Sequence, residues 1–244
     1  MSSFDKETIV GKLVFLLLKI LVVFLILSIG GVLLFRFVPV FYTPLMIIRH
    51  VQSDDSAFVI RHDWVPMDRI APCVPLALAA GEDAHFLEHG GFDTDAIIAA
   101  MKHNGESESL HGASTISQQT AKNVFLYPSR SFLRKGLEAY FTLLIETAWS
   151  KRRIMEVYLN SIEFGPGIYG IEAAAMHYYG CHASALTRSQ AASLAAIVPA
   201  PLSRNPLHPD GRTIRHRNRI RKDMSYLESH GFNLRPASPS DDNK

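Results

Sequence analysis

The sequence predicts a mainly α-helical protein with a single N-terminal transmembrane helix. Of 244 residues, 48% are hydrophobic, and much of this excess lies in one run from Leu13 to Phe35 in which Lys19 is the only charge. Beyond that run the apolar residues recur at helical spacing, and no segment shows a convincing strand alternation. With only two cysteines, Cys73 and Cys181, the chain has no disulfide framework, so an apolar core must hold the remaining domain together.

The apolar run predicts a membrane anchor over residues 13–36, preceded by a cytoplasmic N-terminus over residues 1–12. A cleavable signal peptide is the alternative, but its apolar region normally spans about 7–15 residues and ends at a small-residue site. Here the run continues past Gly30 and Gly31. Lys6 and Lys12 precede the run while Arg36 and Arg49 follow it, a distribution that slightly favours an N-terminus on the cytoplasmic side. The large domain would then lie on the outer face of the membrane.

A juxtamembrane linker is expected over residues 37–60, because Pro39 and Pro44 interrupt the helix as it leaves the bilayer. Residues 52–60 suit a short extended piece. The main domain is expected over residues 61–235, followed by a disordered tail over residues 236–244.

Helices of the main domain are predicted from apolar spacing and from their start and stop signals. The first is the small apolar stretch around Leu76 to Ala80, and the next opens at Ser114 and Thr115 and stops before Pro128. A patternless loop over residues 102–111 separates these two and is expected to be mobile. Further helices are expected over residues 132–158 with a break near Ser150, and over residues 171–179, 189–197 and 212–227, with a tight turn at residues 165–170.

Charge limits the partners of this chain. A net charge of +2 and a pI near 8.5 are too mild to indicate nucleic-acid binding, so no nucleic-acid partner is expected. Anionic lipid headgroups remain compatible with this charge.

An acidic segment directly follows the first apolar helix. Residues 81–93 contain four carboxylates, Glu82, Asp83, Glu88 and Asp93, and two histidines, His85 and His89. A carboxylate carried into a dry cleft by a buried helix has a raised pKa and can act as an acid or base near neutral pH. The alternative is a surface helix rich in charge.

Two short motifs suggest other chemistries but lack the required context. His85 to His89 fits the H-x-x-E-H pattern of inverted zincins, yet the chain has 11 histidines and offers only Glu163 or Glu172 as an acidic third ligand. Residues 165–170 fit G-x-G-x-x-G, but no βαβ pattern surrounds them and no acidic residue follows at the required distance. These glycines are expected to form a tight interhelical turn.

Four ordered motifs carry a stronger signal. They are Glu82-Asp83-x-x-Phe86-x-x-His89-x-Gly91-x-Asp93, the stretch from Gly112 to Asn123, Arg134-Lys135-x-x-Glu138, and Tyr158-Leu159-Asn160 followed by Gly165 and Tyr169-Gly170. Their order and spacing, from Ile70 to about Pro201, closely resemble the peptidoglycan glycosyltransferases of family 51. The resemblance implies a lysozyme-like fold.

It also implies a reaction and two catalytic carboxylates. Members of this family polymerise lipid II by joining the 4-hydroxyl of an acceptor sugar to the anomeric carbon of a growing, lipid-linked donor chain, with inversion. By motif position Glu82 is the base that deprotonates the acceptor. Glu138 is the second carboxylate, which either holds a divalent cation, Mg²⁺ or Mn²⁺, or assists departure of the pyrophosphate. No organic cofactor is expected.

Substrate-binding residues follow from the same motifs, because a pyrophosphate attracts cations and sugar hydroxyls attract neutral donors. The expected substrate-binding residues are Ser114, Gln118, Gln119, Lys122, Asn123, Arg130, Arg134 and Lys135. Of these, Arg130 also suits a solvated surface charge. Asp83, Phe86 and His89 are expected to orient the active-site segment, Glu146 and Glu156 to be structural helix partners, and Lys151 to Arg153 to form a solvated face.

The resemblance further implies a bacterial inner-membrane protein whose catalytic domain is periplasmic. Its expected partners are lipid II, the growing glycan chain, membrane lipid, and proteins of the division or elongation machinery. Two alternative functions remain: a lysozyme-like peptidoglycan hydrolase using the same carboxylates, and a non-catalytic membrane-anchored scaffold.

Overall fold

The computed structural model describes residues 3–53, 58–98, 114–129 and 131–234. The chain divides into two compact units, Met1–Val38 and Pro39–Lys244. The loop predicted over residues 102–111, Arg130 and the tail predicted over residues 236–244 lie outside the described residues.

The first unit is formed by one helix, α1, Ser3–Phe35. Within it Val10–Phe35 spans 26 residues with a mean hydropathy of 3.0, which is long and apolar enough to cross a bilayer. The predicted membrane-length helix is therefore confirmed as a helix. It begins earlier than expected, because residues 3–12 contain no proline to stop it.

The second unit is mainly helical, as predicted. In chain order its elements are α2 Pro44–Val51, β1 Arg61–His62, α3 Cys73–Glu82, α4 Ile116–Phe125, α5 Phe132–Ala148, α6 Lys151–Ser161, β2 Glu163–Gly165, β3 Ile168–Tyr169, α7 Ile171–Tyr179, α8 Arg188–Ile197 and α9 Gly211–Ser229. Short 3₁₀ turns occupy Met67–Arg69 and Ala183–Ala185, and residues 94–98 are also helical.

Local capping explains where the central helices begin. Thr115 caps α4 through a capping box, in which its hydroxyl accepts from the Gln118 N–H and the Gln118 side chain accepts from the Thr115 N–H. Ser150 caps α6 by accepting from the Arg153 N–H. This cap divides the long helical region expected over residues 132–158 into α5 and α6, so the predicted break near Ser150 is confirmed.

Two helical clusters form the core. In one, α3 packs against α8 and α9, and the small side chains Ala191, Ala192 and Ala195 allow the close approach. At Gly81, near the end of α3, an added Cβ would lie 3.2 Å from Ile220 Cδ1. In the other cluster, α4 packs against α5 and α6. The C-terminal end of α3 thus has a fixed position relative to the core.

A small sheet was not predicted. Its strand order is β1-β3-β2, with β1 parallel and β2 antiparallel to β3. The tight turn predicted within residues 165–170 is present at Pro166 and Gly167, but it joins β2 to β3 in a β-hairpin rather than joining two helices. Gly167 has φ +72°, and an added Cβ would lie 2.6 Å from the carbonyl oxygen of Val59, so only glycine fits.

The segment expected as a linker contains a helix. Thr43 caps α2, Met46 is fully buried, and α2 packs against α4. Arg49 of α2 pairs with Glu163 of β2 at 3.7 Å. The compact second unit begins at Pro39 and includes this helix.

Candidate active site

Glu82 is the last residue of α3 and lies in an open cleft of about 330 Å³. The cleft is lined by Ala80, Gly81, Glu82, Asp83, Ala84, His85, Asp93, Ala96, Ser114 and Thr115. Burial raises the pKa of the Glu82 carboxyl, while a hydrogen bond from Gln119 and the charge of Lys122 lower it in part. The Gln119 Nε2 donates to Glu82 Oε2 at 2.8 Å. Glu82 therefore has the environment of a carboxylate that can accept a proton near neutral pH.

Asp83 ties the end of α3 to the start of α4. It is buried, and its two oxygens accept separate hydrogen bonds, one from His89 Nε2 at 2.9 Å and one from the Ile116 N–H at 2.9 Å. His89 Nδ1 accepts from the Gly91 N–H at 3.1 Å, which leaves the proton on Nε2 to be donated to Asp83. Phe86 is fully buried beneath this loop. These contacts fix the backbone directly after Glu82.

The zinc motif does not form a zinc site. Residues 84–88 form turns rather than a helix, so His85 and His89 do not share one helical face. His85 lies 3.4 Å from Asp93, whereas His89 bonds to Asp83. The two imidazoles are therefore directed to different carboxylates.

Glu138 lies on α5 with only 2% of its surface exposed. Arg134 Nη1 donates to its Oε2 at 2.6 Å, and Lys135 Nζ donates to its Oε1. Lys135 also reaches the Ser114 hydroxyl at 3.5 Å. The second carboxylate is thus enclosed by cations on its own helix.

Lys122, on α4, interacts electrostatically with both carboxylates, Glu82 and Glu138. Burial lowers the pKa of its ammonium, and the negative charges of Glu138 and Glu82 both oppose that effect. Lys122 lines a second cleft, of about 390 Å³, formed by Leu45, Lys122, Asn123, Leu126, Pro128, Ser129 and Arg134. Arg134 Nε is buried and has no hydrogen-bond partner among the described residues. A cleft lined by Lys122 and Arg134 is suited to a phosphate group.

The remaining predicted binding residues divide by location. Asn123 is buried at the second cleft, and Ser114 is exposed at the first. Gln118 is 5% exposed and forms the α4 capping box, so its amide oxygen is already used by the backbone. Arg130 lies outside the described residues.

A divalent cation finds no ready ligand set here. No group of three or more His, Cys, Asp or Glu side chains is placed to hold a metal in the described parts of the chain. Both oxygens of Glu138 are bonded to cationic side chains, and the charge of Lys122 acts on the same region. The positively charged side chains around Glu138 would repel a divalent cation. The residues as arranged do not fit the metal predicted at Glu138.

Sequence reasoning missed a group of supporting residues. Tyr158 is fully buried, and its hydroxyl donates to Gln119 Oε1 at 3.4 Å, which orients the Gln119 amide toward Glu82. Asn160 exchanges hydrogen bonds with the backbone of Val65. Both lie in the Tyr158-Leu159-Asn160 motif, so the motif itself was the available signal. Lys151, expected on a solvated face, is instead partly buried against the 83–93 segment.

Comparison with known proteins places the chain in a family. A family model described as Transglycosylase matches residues 52–225. A biosynthetic peptidoglycan transglycosylase of Caulobacter vibrioides is 50% identical over 227 residues, covering 91% of this chain and 97% of the relative. Proteins with the same name from Bdellovibrio bacteriovorus and Bacteroides thetaiotaomicron are 51% identical over 210 residues (84% of both chains) and 47% identical over 212 residues (86% of this chain, 85% of the relative). On this similarity the chain belongs to the transglycosylase family, the peptidoglycan glycosyltransferases of family 51.

Proposed function

We propose that this protein is a peptidoglycan glycosyltransferase that polymerises lipid II into glycan strands during cell-wall synthesis. The observation that carries the proposal is a shielded carboxylate, Glu82, beside a basic cleft formed by Lys122 and Arg134. A hydrolase of neutral glycans has no need for that basic cleft. The family membership and the names of the relatives support the same reaction.

Glu82 acts as the general base. It takes the proton from the acceptor 4-hydroxyl as that oxygen forms a bond to the donor anomeric carbon, opposite the breaking bond to phosphate. Its raised pKa makes proton uptake favourable, and the hydrogen bond from Gln119 holds the carboxylate in one orientation. The products are a chain longer by one disaccharide unit and a free undecaprenyl pyrophosphate.

The basic cleft stabilises the leaving group. As the glycosidic bond breaks, negative charge develops on the pyrophosphate, and fixed cations lower the barrier most when they are already in position. Lys122 and Arg134 line the cleft, where their charges would act on the phosphate oxygens. Glu138 holds Arg134 and Lys135 in place, which makes it the assisting carboxylate.

The polyprenyl substrate stays in the membrane, so the enzyme must work at its surface. The apolar helix Val10–Phe35 would serve as a single-pass anchor. We propose that this membrane is the bacterial inner membrane and that the second unit is periplasmic, where it meets membrane lipid and the growing chain. Interaction with proteins of the division or elongation machinery stays a prediction.

The test is incubation of the detergent-solubilised protein with labelled lipid II, followed by separation of polymer on a gel. Wild type is compared with Glu82→Gln and with Glu88→Gln, a matched control in which an exposed acid of the same segment is changed. We expect long glycan from wild type and the control, and at least about a hundredfold less from Glu82→Gln. Equal polymer from all three would remove Glu82 from the mechanism. No polymer from any folded variant would favour the hydrolase or the scaffold function.

A further inference from the structure

The 83–93 segment, which directly follows Glu82, is held by three neighbouring helices. Asp83 accepts from the first N–H of α4, and the Thr115 hydroxyl donates to the Gly91 carbonyl at 2.7 Å. Gly91 also packs tightly on α5, since an added Cβ would lie 2.9 Å from Glu146 Cγ. The third contact comes from Lys151 of α6. This residue lies outside the four sequence motifs and has no part in the proposed mechanism.

Lys151 is the first residue of α6 and reaches across 62 positions to the segment. Its Nζ donates to the His89 carbonyl oxygen at 2.6 Å and to Glu146 Oε1 at 2.8 Å. The same ammonium lies 4.7 Å from the centroid of the buried Phe86 ring. Its side chain is 23% exposed, so these contacts are made largely away from solvent.

Glu146, on α5, completes the connection. Its Oε1 accepts from both Lys151 and the Ser117 hydroxyl of α4, and 11% of its side chain is exposed. One carboxylate oxygen thus joins α4 and α6 at the point where α5 meets Gly91. Glu146 lies eight residues after Glu138 on the same helix, so α5 carries both the assisting carboxylate and this junction.

We propose that Lys151, held by Glu146, is a positioning residue that fixes the 83–93 segment and thereby the orientation of Glu82. The proposal rests on the proposed function, since it assigns a support to the base of that reaction. His89 is the link: Lys151 holds its carbonyl oxygen while its ring donates to Asp83, the residue next to Glu82. Loss of the ammonium would free the His89 backbone and leave Glu146 without its cationic partner.

The experiment compares Lys151→Met, Lys151→Arg and Arg152→Met with wild type. Methionine keeps most of the apolar stem and removes the charge, while arginine restores a cationic donor. Arg152 is the matched control because it is the next residue of the same helix but bonds to Asp68 and to the Leu234 carbonyl, away from the segment. Two readouts are taken: lipid II polymerisation as kcat and KM, and amide hydrogen exchange of the substrate-free protein.

We expect Lys151→Met to lower kcat by at least about tenfold with KM changed less than about twofold, because a misplaced base slows chemistry more than binding. Amide exchange should rise in peptides from residues 83–93 and stay unchanged in α8 and α9. Lys151→Arg should recover part of the kcat and the slow exchange. Arg152→Met should match wild type in both readouts.

Unchanged kcat and unchanged exchange in Lys151→Met would overturn the proposal. So would a general rise of exchange across the domain in both Lys151 variants, which would assign the residue to global stability. If wild type and Arg152→Met make no polymer, the proposed function fails. The exchange pattern, measured without substrate, still decides whether Lys151 holds the segment.

Discussion

At the residue scale, the two largest influences on the proton affinity of Glu82 oppose each other. Burial raises the pKa of its carboxyl, and the hydrogen bond from Gln119 lowers it. Replacing Gln119 by Ala removes the largest of the influences that lower this pKa, so the pKa should rise further. Because the base must be ionised to act, the acidic limb of the pH profile of kcat/KM should move to higher pH. Steady-state polymerisation rates across pH measure this.

Gln118→Ala is the matched control for that experiment. Gln118 neighbours Gln119 on α4, but its amide oxygen caps the helix at the Thr115 N–H rather than contacting Glu82. Its removal should lower the melting temperature and leave the acidic limb in place. An acidic limb that moves equally in both variants would assign the effect to α4 as a whole.

Glu82 also affects stability, and its contribution changes with pH in the opposite direction to that of a salt-bridged carboxylate. Since burial raises its pKa, the folded state binds this proton more tightly than the unfolded chain does. Stability therefore falls as pH rises from the ordinary carboxyl pKa through the folded-state value. At neutral pH the neutral variant Glu82→Gln should melt at the same or a higher temperature than wild type. A lower melting temperature of Glu82→Gln, by calorimetry or circular dichroism, would contradict this expectation. Any loss of activity in that variant could then result from unfolding rather than from loss of the base.

The cationic side chains around Glu138 predict that the activity does not depend on a divalent metal ion. With both carboxylate oxygens engaged by Arg134 and Lys135, we expect chelation by EDTA to leave at least about half of the polymerisation rate. The measurement is the initial rate before and after chelation, with added Mg²⁺ or Mn²⁺ as the control. A rate lost on chelation and restored by either ion would return Glu138 to the role of metal ligand.

At the element scale, the tight packing of the 83–93 segment on α5 depends on one glycine. Gly91 has φ +96°, and an added Cβ would lie 2.7 Å from Thr142 Cγ2. Gly91→Ala should therefore destabilise the domain by roughly 1–3 kcal/mol through backbone strain and overpacking. Urea unfolding checks this, and Gly90→Ala is the matched control because an added Cβ there meets nothing within 4 Å. Equal stability of the two variants would show that the segment can move away from α5.

Most helices of the second unit were predictable from sequence because they carry their own local signals, and α2, in the segment expected as a linker, is the exception. Thr115 with Gln118, and Ser150 before α6, are capping residues that act within three positions of themselves. The sheet was not predictable, since strands of two or three residues are too short to show an alternating pattern. The acidic segment after an apolar helix indicated a carboxylate in a dry cleft, and the family resemblance singled out Glu82 within it; its role as the base stays a prediction. Lys151 was misread because its contacts lie 62 residues away, and a run of three cations gives no sign of which member is buried.

At the scale of the whole molecule, the chain combines a membrane-length helix and a compact unit from Pro39 onward. Under the proposed function, the anchor keeps the enzyme at the surface where its lipid-linked substrate is confined. Confinement raises the effective concentration of substrate and adds no contact at the active site. The anchor should therefore matter only when the substrate is in a bilayer.

Removal of residues 1–38 tests this division of roles. The truncated protein should polymerise lipid II in detergent at a rate within about threefold of the full chain, because Glu82, Lys122 and Glu138 all lie in the second unit. In vesicles containing lipid II its rate should fall by at least about tenfold, since binding to the surface becomes bimolecular. The measurement is the initial rate in both media at equal protein and substrate, with melting temperature as a check on folding.

Equal loss in detergent and in vesicles would mean that residues 1–38 support the active site itself. No loss in vesicles would mean that the second unit binds the bilayer sufficiently on its own, through exposed apolar residues such as Phe132, 98% exposed, and Leu133, 74% exposed.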